Sequence, residues 1–109
     1  MLRLALLLSL WMFSVAHACE EPDEERDLWG SYERAWAATD EDRRELLARA
    51  QGAWLDYREA SCEMFASRDG LPQPQAYRQC RSFMAGERMF ELRLICRTSS
   101  ESENCDSVP

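Results

Sequence analysis

The stretch Trp54-Leu-Asp-Tyr57-Arg58-Glu-Ala-Ser-Cys62 decides the fold, together with Cys80 and the segment from Arg88 to Leu92. Its tryptophan, tyrosine and cysteine recur every three to four residues, which places them on one face of a helix. Cys80 opens a second amphipathic segment after a break rich in proline and glycine. The pattern predicts two facing helices joined by a disulfide.

Residues 1–18 have the pattern of a secretory signal peptide. Arg3 supplies a positive charge, and an apolar run broken only by two serines follows. Ala16-His17-Ala18 matches the small-x-small motif of signal peptidase, and the run is too short for an ordinary membrane span. The alternative is a buried N-terminal helix, which would need a partner surface that so small a remainder could hardly supply.

Removal of these residues from the chain of 109 leaves 91, near the lower limit for a domain held by its hydrophobic core alone. The remaining 12 arginines against 20 acidic residues give a net charge of −8. This balance argues against nucleic-acid binding, which needs a basic surface. It allows attraction to a basic protein partner. The alternative reading is that the acidity only keeps a small secreted domain soluble.

Five cysteines in an exported chain predict disulfides rather than metal ligands. Cys62 and Cys80 flank the break between two predicted helices, and Cys96 and Cys105 flank a polar tail. We therefore predict one bridge within each pair. Cys19 remains and directly follows the predicted cleavage site, where lipoprotein signal peptidase cuts and a diacylglyceryl group is attached. The alternative is ordinary cleavage, with Cys19 free or paired elsewhere.

The first helix is predicted from Leu28, after a charged lead-in at residues 19–27. Pro22 followed by acids also suits a helix start. Its apolar residues Leu28, Trp29, Tyr32, Ala35 and Trp36 fall at offsets of three and four. We expect Trp29 and Trp36 to lie in the core. The alternative is that they form an exposed binding face.

The second helix is predicted from about Glu41 to Ala66, with Thr39 or Asp40 as its cap. Gly52 is its one weak position and suggests the close approach of a neighbouring backbone. Its predicted buried stripe consists of Leu47, Ala50, Trp54, Tyr57, Ser61 and Met64.

Residues 67–75 form a loop by composition, because Asp69-Gly70 is a turn signal and two prolines follow. The loop carries one apolar residue, Leu71, so Asp69 and Leu71 are candidate partner-binding residues. A stiffened loop loses little freedom on binding. The alternative is a plain connector, with Leu71 folded back on the core.

The third helix is predicted from about Pro74 to Arg97, and residues 98–109 form a polar tail. Its predicted buried stripe consists of Tyr77, Cys80, Met84, Met89, Leu92 and Ile95 or Cys96, with Phe83 and Phe90 on the flanks. No strand-like alternation or internal repeat occurs in the sequence. We therefore expect an all-α domain at residues 28–97, a three-helix bundle with a central antiparallel hairpin joined by a disulfide.

The motif Gln51-x-x-Trp54-x-x-Tyr57-Arg58-x-x-x-Cys62, followed by Cys80, Arg88 and Leu92, resembles the lysozyme inhibitor LprI-like N-terminal family. The resemblance covers about residues 43–95. It implies a small helical domain, exported to the periplasm or anchored by lipid in the cell envelope, in which these motif residues are structural. The family's namesake activity is inhibition of lysozyme, so the resemblance implies a lysozyme as partner.

An enzyme is not expected. His17, the only histidine, lies in the predicted signal peptide, which removes the commonest general base and metal ligand from the mature chain. Glu87 and Glu91 lie four residues apart on a predicted surface, and no glycine-rich phosphate loop occurs. We expect no cofactor and no metal. The alternative to lysozyme inhibition is a structural or interaction module of the cell envelope that binds through exposed aromatic residues.

Overall fold

Three α-helices form the fold in the computed structural model, which describes residues 23–68, 73–99 and 103–106. Helix α1 spans Asp23–Ala38, α2 spans Glu41–Ala66 and α3 spans Pro74–Arg97. No strand occurs in these described ranges. The all-α prediction is therefore confirmed, and α2 and α3 have the bounds expected from the sequence.

Local chemistry explains where the helices begin and end. The Thr39 hydroxyl donates to the carbonyl of Ala35 over 2.6 Å and closes the last turn of α1. Asp40 follows as the N-cap residue of α2, and acidic side chains occupy the first turn of that helix, where they favour its positive end. Pro74 stands at the first position of α3, where its missing N–H and fixed φ are compatible with a helix start.

The charged stretch predicted as a lead-in at residues 19–27 is helical from Asp23 onward. The prediction of a helix start at Leu28 was therefore too late by more than one turn. Acidic residues at 23–25 suit the positive end of the helix, and Glu25 also has a cationic partner on α2. Residues 19–22, including Cys19, lie outside the described residues, as does the predicted signal peptide.

The helices run up, down and up. Glu25 lies near Arg81, and the Cys96 sulfur lies 3.7 Å from the Arg34 carbonyl, so α1 and α3 point in the same direction. Cys62 contacts Cys80 and Gln51 contacts Arg88, so α2 runs antiparallel to α3. Helix α3 packs along both other helices.

Small side chains dominate the core. Its buried members are Leu28, Ala35, Ala38, Leu47, Ala85, Leu92, Cys96 and Cys105. Tyr32, Trp54, Met89 and Ile95 pack against them and are partly buried. A core with so few large residues removes little apolar surface from water, so we expect covalent links and polar contacts to matter more here than in a larger domain.

The buried face of α2 differs from the predicted stripe. The structure buries Leu47, Gln51, Arg58, Cys62 and Ala66. Ala50, Tyr57 and Met64 of the predicted stripe are exposed, Tyr57 by 63% and Met64 by 70%. The prediction followed apolarity, whereas the helix turns toward its neighbours a face with two long polar residues that have partners across the interface.

The aromatic residues of α1 and α3 also differ from expectation. Trp29 and Trp36 were expected in the core but are 59% and 37% exposed. On α3, Leu92 and Cys96 are buried as predicted, and Ala85 and Arg88 are buried as well. The closely packed positions between the helices are taken by small residues such as Ala35 and Ala85, which leave no room for an indole.

Two disulfides link the described residues. Cys62 and Cys80 join the C-terminal part of α2 to the N-terminal part of α3, with their Cα atoms 5.5 Å apart. Cys96 and Cys105 join the end of α3 to a turn in the tail, with a Cα separation of 5.6 Å. Both separations lie within the ordinary range for a disulfide.

Replacement of Cys62 and Cys80 by alanine should lower the free energy of unfolding by about 3 kcal/mol, because the bridge restricts a loop of 18 residues in the unfolded chain. Thermal unfolding followed by circular dichroism measures the effect. The unaltered protein in reducing agent is the control. An unchanged midpoint in the double variant would show that the bridge does not stabilise the fold.

Gly52 does not mark a close backbone approach, contrary to the sequence-based prediction. A Cβ atom added there would have no neighbour within 4 Å, and the same holds for Gly86. Both lie inside helices, where glycine costs about 1 kcal/mol relative to alanine. Gly52→Ala should therefore raise the free energy of unfolding by about 1 kcal/mol in urea titrations. A destabilised variant would reveal a contact at this position.

Candidate functional site

The residues of the sequence motif divide into a buried set and an exposed residue. Arg58, Cys62, Arg88 and Leu92 are buried, and Trp54 and Cys80 are half-buried. Tyr57 alone points to solvent. Most of the motif therefore lies between the helices, where it holds α2 and α3 in register.

Arg58 of α2 forms an ion pair with Glu25 of α1. Its side chain, only 4% exposed, donates from Nη1 to Oε1 of Glu25 over 2.5 Å and from Nη2 to Oε2 over 3.2 Å. Arg81 on α3 approaches the same carboxylate at 3.6 Å. A two-pronged arginine–carboxylate contact fixes the relative orientation of its partners. Glu25 therefore ties α1 to both other helices.

Trp54 lies between two guanidinium groups. The Cζ atom of Arg58 is 4.8 Å from the ring centroid, and that of Arg88 is 5.9 Å away. Both distances are within the range of cation–π attraction. Arg88 also donates from Nε to Gln51 over 3.0 Å and from Nη1 to Glu91 over 2.7 Å. The indole thus sits inside a polar layer that spans all three helices.

The role of this polar layer is structural. Its members, Glu25, Gln51, Trp54, Arg58, Arg88 and Glu91, contact one another, and the buried Nη2 of Arg88 has no hydrogen-bond partner among the described residues. Two buried arginines need such partners, since a buried charge without them is costly. Sequence reasoning missed Glu25 because it placed that residue in a lead-in. Glu25 and Glu91 each form an ion pair with an arginine of the layer.

A shallow groove of about 580 Å³ runs between the start of α1 and the first half of α3. Its lining residues are Glu24, Glu25, Trp29, Tyr77, Arg78, Arg81 and Ser82. Acidic and basic side chains balance in this groove, so its charge favours neither a cationic nor an anionic ligand.

Tyr77 links the walls of the groove to α2. Its hydroxyl donates a hydrogen bond to the Glu59 carboxylate, and this bond raises the pKa of Tyr77 above its ordinary value. A raised folded-state pKa means that the bond stabilises the fold below the ordinary tyrosine pKa. That contribution is lost as the pH rises through the higher value.

An aromatic row, Trp29, Tyr32 and Trp36, runs along α1, with both tryptophans exposed and Tyr32 half-buried between them. Ring centroids are 5.6 Å apart in the first pair and 6.1 Å in the second, a range in which aromatic rings attract. Arg44 of α2 lies 5.5 Å from the Trp36 ring and donates from Nε to the Trp36 carbonyl over 3.0 Å. The row is therefore an ordered surface rather than a set of isolated side chains.

Exposed carboxylates lie close in sequence to the Trp36 end of the aromatic row. Glu33 is exposed on α1 between the two tryptophans. Asp40, Glu41, Asp42 and Glu45 are exposed at the start of α2. The row and these acids together form the aromatic–acidic face of the molecule.

Asp69 and Leu71, the predicted partner-binding residues, lie outside the described residues. The two ends of their loop border a second groove of about 560 Å³. Its lining residues are Glu63, Ala66, Ser67, Gln73, Pro74, Tyr77 and Arg78. The loop therefore stays a second predicted partner-binding surface, in addition to the aromatic–acidic face.

The described part of the chain contains no group of three or more histidine, cysteine or carboxylate residues arranged to hold a metal ion. Nor does a helix within it have the length and apolarity needed to cross a membrane.

Glu25→Gln should destabilise the fold by about 2 kcal/mol, because it leaves the buried Arg58 guanidinium without its anion. Asp106→Asn is the matched control: it breaks the 2.6 Å pair with Arg97, whose two side chains are both exposed. That change should cost less than about 1 kcal/mol. Urea unfolding measures both. If Glu25→Gln and Asp106→Asn lowered the free energy of unfolding equally, the buried Arg58–Glu25 pair would have no special role in stability.

Comparison with known protein families gives a match to this chain. The family model described as lysozyme inhibitor LprI matches residues 16–92, which include α1, α2 and most of α3. No curated protein and no solved structure matches the chain. The matched region contains the whole polar layer and the Cys62–Cys80 bridge. The family model covers well over half of the sequence, and the chain belongs to the lysozyme inhibitor LprI family.

Proposed function

We propose that this protein is an exported inhibitor of lysozyme that binds the enzyme directly and covers its substrate groove. Membership of the lysozyme inhibitor LprI family is the observation that carries the proposal. Charge supports it as well. Animal-type lysozymes are basic, and the chain after the predicted signal peptide has 12 arginines against 20 acidic residues.

The aromatic–acidic face supplies the contact in this proposal. Tryptophan and tyrosine are the residues that most often contribute large binding energies at protein interfaces. Trp29, Tyr32 and Trp36 present such side chains on one rigid helix, already ordered by contact with one another. Little freedom would be lost when they bind a partner.

The acids around the row supply long-range attraction. Glu33 of α1 and the exposed carboxylates at positions 40–45 are close to Trp36 in sequence, and Arg44 of the same segment contacts the Trp36 ring. Positions 40–45 also include two arginines. One of them, Arg44, already donates hydrogen bonds to the Trp36 and Thr39 carbonyls. A lysozyme cleaves its substrate with two carboxylates in a groove, and its basic surface around that groove would be drawn to this face.

The polar layer serves the proposed function indirectly. Helix α1 carries the aromatic row, and the Arg58–Glu25 pair fixes α1 against α2. Loss of the pair would let the row shift relative to the acids at the start of α2. The motif residues are thus positioning residues for a surface to which they do not themselves belong.

Export to the periplasm follows in this proposal from the predicted signal peptide and is required for both disulfides to form. Attachment of a lipid to Cys19 would hold the protein at the membrane surface, where lysozyme reaches the cell wall. No catalytic step, metal or cofactor takes part.

An interaction module of the cell envelope remains the alternative function. It is favoured by the number of large apolar side chains exposed on the other two helices, among them Leu46, Tyr57, Met64, Phe83 and Phe90. The dependence of binding on salt concentration distinguishes the two functions. Binding of lysozyme through charge should weaken well above the physiological ionic strength of about 0.15 M, whereas an apolar interface should not.

Purified protein in molar excess should slow the lysis of bacterial cell walls by a basic animal-type lysozyme. The double change Trp29→Ala and Trp36→Ala should reduce the inhibition at least about tenfold, because it removes two aromatic anchors. Turbidity measurements follow the lysis, and titration calorimetry gives the Kd.

Phe90→Ala is the matched control, since Phe90 is an exposed aromatic residue on α3, away from the aromatic–acidic face. It should leave inhibition unchanged. If Leu71→Ala removes inhibition and the double tryptophan variant does not, the loop rather than α1 binds the enzyme. Absence of inhibition by the unaltered protein would refute the proposal.

A further inference from the structure

An apolar stripe on the outward side of α2 has no role in the fold or in the proposed lysozyme contact. It consists of Leu46, Ala50, Ala53, Tyr57, Ala60 and Met64, all exposed. We call it the outer stripe of α2. It lies on the side of the helix away from the buried Arg58 and Cys62.

The spacing along the outer stripe alternates between four and three residues without a break. This average of 3.5 is the repeat of a coiled-coil seam, whereas a helix that only packs on a globular core tends to follow a period of 3.6. Arg43 and Ser67 occupy the next positions at either end, so the seam is bounded by polar residues. It extends over 19 residues from Leu46 to Met64, about 27 Å of helix.

We propose that the outer stripe of α2 is the interface with a second copy of this chain, in which the two α2 helices pack antiparallel. In that arrangement Tyr57 of each copy faces Ala53 of the other, and Leu46 faces Met64. A large side chain at the centre thus meets a small one on both sides of the twofold axis, which allows the helices to approach closely.

The charges beside the stripe are complementary in the same arrangement. Arg49, Asp56 and Glu63 follow one another at intervals of seven residues along one flank, and all are exposed. Within the described ranges, neither Arg49 nor Glu63 makes an ion pair. In an antiparallel pair each Arg49 faces Glu63 of the second copy, which gives two equivalent contacts across the seam. The two Asp56 carboxylates face each other at the solvated edge, a like-charge contact that the two Arg49–Glu63 pairs outnumber.

A parallel pair would lack these contacts. The flank opposite Arg49 and Glu63 carries Leu47, Trp54 and Ser61, which turn toward the core of their own bundle and bear no charge. In a parallel pair the charged flank of one helix would lie against this uncharged flank of the other. The order of charges along α2 therefore selects the antiparallel orientation.

Sedimentation velocity of the oxidised, exported protein over a concentration series tests the proposal. The unaltered protein should form a dimer. Tyr57→Glu should raise the dissociation constant at least about tenfold, because it places a charge at the centre of the seam. Phe90→Glu is the matched control and should leave the dimer intact, since Phe90 is an exposed aromatic residue on α3. Circular dichroism verifies that each variant is folded.

Charge exchange tests the orientation separately. Arg49→Glu should weaken the dimer, and the double change Arg49→Glu with Glu63→Arg should restore it, since both contacts then re-form with opposite polarity. Absence of restoration would overturn the antiparallel arrangement. A monomer at about 100 μM, or a Tyr57→Glu variant that dimerises as well as the unaltered protein, would overturn the interface itself. These outcomes do not depend on lysozyme, so they stand apart from the test of inhibition.

Discussion

The disulfide between Cys62 and Cys80 is the constraint on which the rest of the structure depends. It fixes the antiparallel pairing of α2 and α3 at the end of the hairpin where the core is thinnest. A core made largely of alanine, leucine and cysteine contributes little burial energy for a domain of this size. A cross-link offsets this deficit by restricting the unfolded chain rather than by adding contacts. The fold therefore suits an oxidising compartment.

Buried arginines take the place that large apolar residues would have in a larger domain. Arg58 and Arg88 place their aliphatic stems and guanidinium groups around Trp54, and they reach carboxylate or amide partners on other helices. Contacts of this kind are directional, so they define how far each helix is rotated about its axis. An apolar core of alanine and leucine would not define that rotation as sharply. The polar layer explains why α2 turns Gln51 and Arg58 inward and leaves its more apolar stripe outside.

The rotation of α2 that buries Gln51 and Arg58 has consequences for function. It leaves aromatic residues exposed on α1 and apolar residues exposed on α2. Two separate surfaces are thus available, one bordered by acidic residues and one with a coiled-coil repeat. The first suits a basic partner such as a lysozyme, and the second suits another copy of the chain. A dimer formed through α2 would carry two copies of the aromatic–acidic face, which we propose as the contact with lysozyme.

The sequence by itself determined the number of helices, the bounds of α2 and α3, and the family, because these depend on local signals. Proline and glycine interrupt helices, acids favour helix starts, and the Trp-x-x-Tyr-Arg-x-x-x-Cys motif is contiguous. Only the tertiary structure decided which face of each helix is buried. Apolar periodicity pointed to Tyr57 and Met64 on α2 and to Trp29 and Trp36 on α1, whereas the structure exposes all four. The reason is that Arg58 finds Glu25 and Arg88 finds Gln51, partners 33 and 37 residues away in sequence. A pairing over such distances leaves no periodic signal in either helix, so hydrophobic pattern alone could not reveal it.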